Sequence, residues 1–143
     1  MITIYTIHMS KHRLLQETTV SLLDTTVKSG IAFFAPTWDM VMSYKKGVIT
    51  EEQYIDRYRQ ALNGRHRDNP AYLTNYLPEE GDLALGCYCK PGEFCHRHLL
   101  KYALQNWGKY TNVPVVLGGE ITPAGLEEYP ELDQRIQQRL SLI

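Results

Sequence analysis

The chain has 143 residues, 43% of them hydrophobic and 22% charged, with a formal net charge of −1. That is enough for one domain with a full core and too little for two, and so balanced a charge excludes a global field for nucleic acid or an anionic membrane. No apolar run reaches transmembrane length, and three cysteines packed within nine residues do not make an extracellular disulfide framework. A cytoplasmic, reducing setting is expected.

In chain order, Ile2 to His8 alternates β-branched and aromatic residues and predicts a first strand rather than a signal peptide. Met9 to Gln16 is polar and basic and reads as a loop or short irregular helix. Val20 to Leu23 predicts a second strand running into the turn-prone segment DTTVKSG. Thr37 is placed to cap a helix through Lys46, and Thr50 with Gln53 forms a capping-box pattern. The helix opened at Thr50 is expected to run to about Leu62 and close at Asn63-Gly64; Pro70 then opens a short helix to about Tyr76. Val115 to Leu117 predicts a further strand. Pro123 and Pro130 are each expected to open a helical turn, the second leading an amphipathic helix to Leu140.

The stretch from Asp82 to Trp107 organises the rest. Asp82 to Cys89 alternates, so Leu83, Leu85, Cys87 and Cys89 share one face of a strand. Lys90-Pro91-Gly92 turns the chain. Leu99, Leu100, Ala103, Leu104 and Trp107 recur at helical spacing until Gly108 stops the helix. Alternating strands and helices imply a single α/β domain over residues 1–143: a Rossmann-like three-layer sandwich on a mostly parallel sheet of four or five strands.

Such sheets bind ligands at the carboxyl ends of their strands, where this chain concentrates its chemistry. Cys95, His96, Arg97 and His98 crowd the first turn of a helix, and Cys95 is the better reactive thiol because a helix amino end and Arg97 lower a thiol pKa. Arg97 with Lys28 and Ser29 makes an anion site; the structural alternative is that Arg97 pairs with Asp24 or Glu93. Trp38 follows the polar loop and suits base stacking. Cys87, Cys89 and Cys95 with His96 or His98 supply four zinc ligands, although C-x-C-x5-C-H-x-H lacks the separated knuckle pairs of structural zinc sites. Buried, inert cysteines are the bland alternative. The basic run Arg57, Arg59, Arg65, His66, Arg67 reads as a solvated face. No Walker, nucleophile-elbow or Cys-x5-Arg pattern is present.

Ile4-Tyr5-Thr6-Ile7, the segment Asp24 to Asp39, and Cys87 with Cys95-His96-Arg97 together resemble the domain of unknown function 488 family of bacteria and phages, over most of the chain to about residue 118. The CYCKPGEFCHRHLL stretch resembles its Cys-x-Cys branch; other branches carry glutamate at Cys89, glycine at His8 and arginine at Thr26. The resemblance implies a fold and a site, not a reaction, and the sheet is similar to those of nucleoside-processing enzymes.

The combined expectation is a domain that binds, and in one version processes, a nucleotide or other phosphorylated small molecule. Asp24 or Cys95 is the expected nucleophile or base, with Lys28, Ser29, Trp38, Cys87, His96 and Arg97 as ligand contacts. A zinc module using Cys87, Cys89, Cys95 and His98, and a non-enzymatic ligand-sequestering or interaction protein, are the alternatives. Nucleic acid and membranes are not expected partners.

Overall fold

The computed structural model describes residues 1–90 and 92–141. Its centre is β1 (Ile2–His8), whose alternation of buried and half-buried residues follows the alternation in the sequence. A 3-10 helix over Met9–Leu15 leads to β2 (Ser21–Asp24). Three helices follow: α1 (Trp38–Lys45), α2 (Glu51–Asp68) and α3 (Ala71–Glu80). Then come β3 (Leu83–Cys87), α4 (His96–Thr111), β4 (Val115–Thr122), β5 (Gly125–Glu127) and α5 (Pro130–Ser141).

The five strands form one sheet in the order β2-β3-β1-β4-β5, parallel except for the antiparallel edge strand β5. This is the mostly parallel α/β sheet that the sequence predicts, with five strands. Helix α4 supplies the apolar stripe Leu99, Leu100, Leu104 and Trp107 to the core that holds Ile2, Ile4, Leu23, Leu83 and Leu85. A smaller cluster of Ile7, Leu15 and Ala84 packs the 3-10 helix onto the sheet. Interior strand β3 is buried at all five positions, as a parallel strand covered on both faces should be.

Local caps behave as expected. Thr37 Oγ1 accepts from the Met40 N–H, and Thr50 and Gln53 form a reciprocal capping box. Several boundaries differ. α2 continues through Asn63-Gly64 to Asp68 because Arg65, in the added turn, donates to the carbonyls of Phe33 and Ala35; the chain stops instead before Pro70. Pro70 is the N-cap of α3 rather than its first residue, so the helix starts one residue later than expected, and it extends to Glu80 with Pro78 inside it. Gly108 does not end α4. A Cβ there would lie 2.5 Å from the Val113 carbonyl, so the glycine allows close approach, and the helix ends at Asn112 in the left-handed region, φ +60°. Pro123 opens no helical turn: it sits in the β4–β5 connection, where Thr122 Oγ1 accepts from Ala124 N–H and donates to the Gly125 carbonyl. β3 ends at Cys87, so Cys89 stands just past the strand rather than on it.

Candidate functional site

Strands β2 and β3 are parallel neighbours, with Asp24 opposite Gly86. Their carboxyl ends therefore open onto one edge, and the DTTVKSG and CYCKPGEFCHRH loops meet there. Between them and α1 lies a pocket of about 580 Å³ that includes Lys28, Ser29, Trp38, Cys87, Cys89, Cys95 and His96 in its lining. Most sequence-predicted site residues thus converge. Asp24, Arg97 and His98 do not line it.

The wall is aromatic. Tyr44, Tyr54 and Phe94 meet pairwise with ring centroids 5.3–5.5 Å apart. Tyr54 is buried, and that burial raises its phenol pKa well above the ordinary value. At the mouth Trp38 remains 52% exposed, with Lys28 Nζ 5.5 Å from its ring centroid. Lys45 and Lys90, also exposed, line the pocket too, together with the exposed carboxylate of Glu93. Phe94, Lys45 and Lys90 were not marked by the sequence pattern, because nothing local sets them apart from ordinary core and surface residues.

The floor is built from sulfur and imidazole. Cys95 Sγ lies 3.0 Å from Cys87 Sγ, and Cys89 Sγ lies 3.7 Å from it. All three sulfurs fall within 4.8 Å of one another, a grouping that could hold a metal ion. His96 Nε2 lies 2.8 Å from the Thr25 carbonyl, which can only accept, so Nε2 carries the proton and the Nδ1 lone pair faces the thiols. Nδ1 is 3.5 Å from Cys95 Sγ and 3.9 Å from Cys87 Sγ. Thr25, buried at the end of β2, is therefore a positioning residue that the sequence did not flag.

Of the three thiols, Cys87 is lowered and the other two are raised. Hydrogen bonding with Cys89 and with Cys95, then the neighbouring His96, hold Cys87 far below the usual thiol range against the opposing effect of burial. Hydrogen bonding to Cys87 raises Cys89. Cys95 is pushed up to about 12 by burial first and by its bond to Cys87 second. The expectation that a helix amino end and Arg97 lower Cys95 is therefore reversed: desolvation outweighs both.

Arg97 needs a larger correction. Its side chain is fully buried, and it pairs neither with Asp24 nor with Glu93. Nε and Nη2 donate to the two carboxylate oxygens of Glu120 on β4 at 3.1 and 2.7 Å, and Nη1 donates to the Cys89 carbonyl at 3.1 Å. These bonds hold the cysteine loop to β4 and direct the guanidinium away from the pocket. A glutamate inside the apolar strand VVLGGEIT was the available signal for the partner.

Asp24 is similarly committed. Oδ1 accepts from the Thr26 N–H and hydroxyl and Oδ2 from the Ser29 hydroxyl, so the carboxylate organises its own loop instead of facing the pocket as a nucleophile. Burial pushes its pKa up, but the Ser29 and Thr26 hydrogen bonds prevail and lower it. His98 is 1% exposed, lies edge-on to Tyr129, and has no hydrogen-bond partner at either ring nitrogen among the described residues. It is not one of the groups that converge on the sulfurs. In the basic run, Arg59 and Arg65 donate to backbone carbonyls, and Arg57 lies 4.0 Å from Asp39 at the surface.

Fold and site together define a parallel α/β domain with a thiol-floored pocket at the carboxyl edge of its sheet. A family profile described as the active DUF488-N3 subclade, DUF488-N3a, matches residues 4–108, and the chain belongs to this family. The match spans β1 through most of α4 and so includes every residue of the cysteine loop. No curated protein and no solved structure shows a significant match. Among the described residues, no helix is long and apolar enough to cross a membrane.

Proposed function

We propose that the pocket binds a nucleotide, or another phosphorylated small molecule with a flat aromatic part. The observation that carries this reading is the pairing of an aromatic wall and Trp38 with the exposed cations Lys28, Lys45 and Lys90 at one mouth. The pocket's size is that of small-molecule sites in general, and a π-face beside point charges suits a base attached to an anion. The lysines take the anion-binding role that the sequence assigned to Arg97. Processing of the ligand would fall to Cys87 as nucleophile with His96 Nδ1 beside it as base. Binding without turnover is the result that a ligand-sequestering protein gives.

Thermal-shift and calorimetric titration with nucleotides, sugar phosphates and inorganic phosphate tests this. At least one phosphorylated compound should raise the melting temperature. Trp38→Ala and Lys28→Ala should each weaken it about tenfold or more, the loss of one charge-assisted or stacking contact of roughly 1.5–3 kcal/mol. If no such compound stabilises the protein, or both variants respond like the wild type, the reading fails.

The sulfur cluster supports a second reading, a zinc site of Cys87, Cys89 and Cys95 with His96 in the place expected for His98. Tetrahedral zinc with bonds of about 2.3 Å sets sulfurs about 3.8 Å apart. The Cys87–Cys89 spacing of 3.7 Å fits, and the Cys87–Cys95 spacing of 3.0 Å fits after a small rotation of one thiol. Anchoring of His96 by the Thr25 carbonyl is the support that a ligating imidazole requires. About one zinc per chain in protein purified without added metal, lost in Cys89→Ser, is the expected result; metal-free wild type removes this reading and leaves the first intact.

A further inference from the structure

Two of the three thiols stand closer together than a shared zinc ion would set them. Cys87 and Cys95 are free, both nearly enclosed at 6% and 4% exposure, and their sulfurs stand 3.0 Å apart, about 1 Å beyond a covalent S–S bond. One sits at the end of β3 and the other caps α4, so the contact joins two rigid elements across the cysteine loop. Both line the pocket, which gives a small oxidant access while their enclosure keeps bulky ones out. His96 Nδ1 lies within 4 Å of both sulfurs. Cys89, half-buried and 3.7 Å from Cys87, is the third thiol.

We infer that Cys87 and Cys95 are a redox-active dithiol, which a hydroperoxide entering the pocket converts to an intramolecular disulfide. In the first step the Cys87 sulfur attacks the terminal peroxide oxygen. The O–O bond breaks, Cys87 becomes a sulfenic acid, and the alkoxide or hydroxide released takes up one proton and departs as alcohol or water. In the second step the Cys95 sulfur attacks the sulfenic sulfur. The S–S bond forms, the S–O bond breaks, and the hydroxyl departs with the Cys95 proton as water. The dithiol loses two electrons and the hydroperoxide gains them. His96 Nδ1 is the base placed to accept and return each proton. Cys95 rather than Cys89 resolves the sulfenic acid because it is nearer and is fixed by the helix it caps. The inference holds whether or not the pocket binds a nucleotide.

The test is peptide mapping of the whole reduced chain after treatment with hydrogen peroxide, with and without a chelator. The expected product is an intact mass lowered by two hydrogens, a Cys87–Cys95 cross-linked peptide, and Cys89 alone open to alkylation; dithiothreitol should restore all three thiols. Cys89→Ser should still form the cross-link. Cys95→Ser should accumulate a Cys87 sulfenic acid trapped by dimedone. The wild-type map decides the matter even if a variant folds poorly. A dominant Cys87–Cys89 bond, oxidation to sulfinic acid without any cross-link, or only intermolecular disulfides in the chelated sample would overturn the inference. The chelator arm separates thiols shielded by a bound ion from thiols that do not pair, and no arm contains a nucleotide, so failure here is distinct from failure of pocket binding.

Discussion

His98 should make this protein acid-sensitive well above the range in which carboxylates titrate. Burial first, then the positive charges of Arg97 and Lys101, push its pKa from 6.5 down to about 3. The ring is 1% exposed and faces Tyr129 edge-on. The folded chain therefore holds His98 neutral between about pH 6.5 and 3, while the unfolded chain protonates it. The unfolded state binds more protons in that window, so stability rises with pH across it and is lost on acidification. Each unit is worth about 1.4 kcal/mol, which gives about 2 kcal/mol between pH 6.5 and 5 and on the order of 5 kcal/mol over the whole window. Asp24 does not interfere, because its lowered pKa costs stability only below its ordinary value of 3.8. Urea unfolding of wild type and His98→Phe from about pH 8 to 5 isolates the effect. The variant should gain on the wild type by about 2 kcal/mol as the pH falls, with His98→Leu as a second apolar replacement, and the imidazole resonances of His98 should not titrate above about pH 5. Parallel stability curves, or an ordinary titration near pH 6.5, would refute the reasoning.

The Arg97–Glu120 pair gives a second prediction: Glu120→Ala leaves a fully buried guanidinium unpaired and should cost about 3–5 kcal/mol in urea unfolding, whereas Arg97→Met with Glu120→Leu should recover most of that. Equal losses in the single and double variants would show that the ion pair is not what the site depends on. Gly108→Ala improves helix propensity by about 1 kcal/mol but places a Cβ 2.5 Å from the Val113 carbonyl and 2.8 Å from Val115, so a net loss of about 1–3 kcal/mol is expected. A rise in melting temperature in this variant would mean that the α4–β4 connection yields more easily than its backbone contact indicates.

What the sequence made legible was local. The caps at Thr37 and Thr50 need only a hydroxyl and the N–H groups within three residues, and both formed. The gathering of the DTTVKSG and cysteine loops was legible too, because strand periodicity assigns both to the carboxyl ends of parallel strands. What failed were features decided at long range. Asn63-Gly64 carries a local stop signal, but Arg65 ties the next turn to carbonyls about thirty residues away, and those bonds outweigh a weak propensity. The chemistry of Cys95 differs for the same reason: a helix amino end is visible in the sequence, whereas the burial of its thiol is not.

Arg97 shows how such a local misreading propagates. An arginine in the first turn of a helix opposes the helix dipole, and in isolation it invites an anion as partner. Here Glu120, on the strand beside β1, already supplies that anion at 2.7 Å, so the charge that appeared free in the sequence is neutralised beneath the pocket. Positive charge available to a ligand is left to Lys28, Lys45 and Lys90, all exposed to solvent. The distinction has a measurable consequence for the proposed function. An anion held by a buried guanidinium would be shielded from salt, whereas one held by rim lysines is screened over a Debye length of about 8–10 Å at 0.1–0.15 M salt. Affinity for a phosphorylated ligand should therefore fall as salt is raised, while binding of the uncharged nucleoside, which uses only Trp38 and the aromatic wall, should stay nearly constant. Equal salt dependence for the two would place the anion contact somewhere other than the rim.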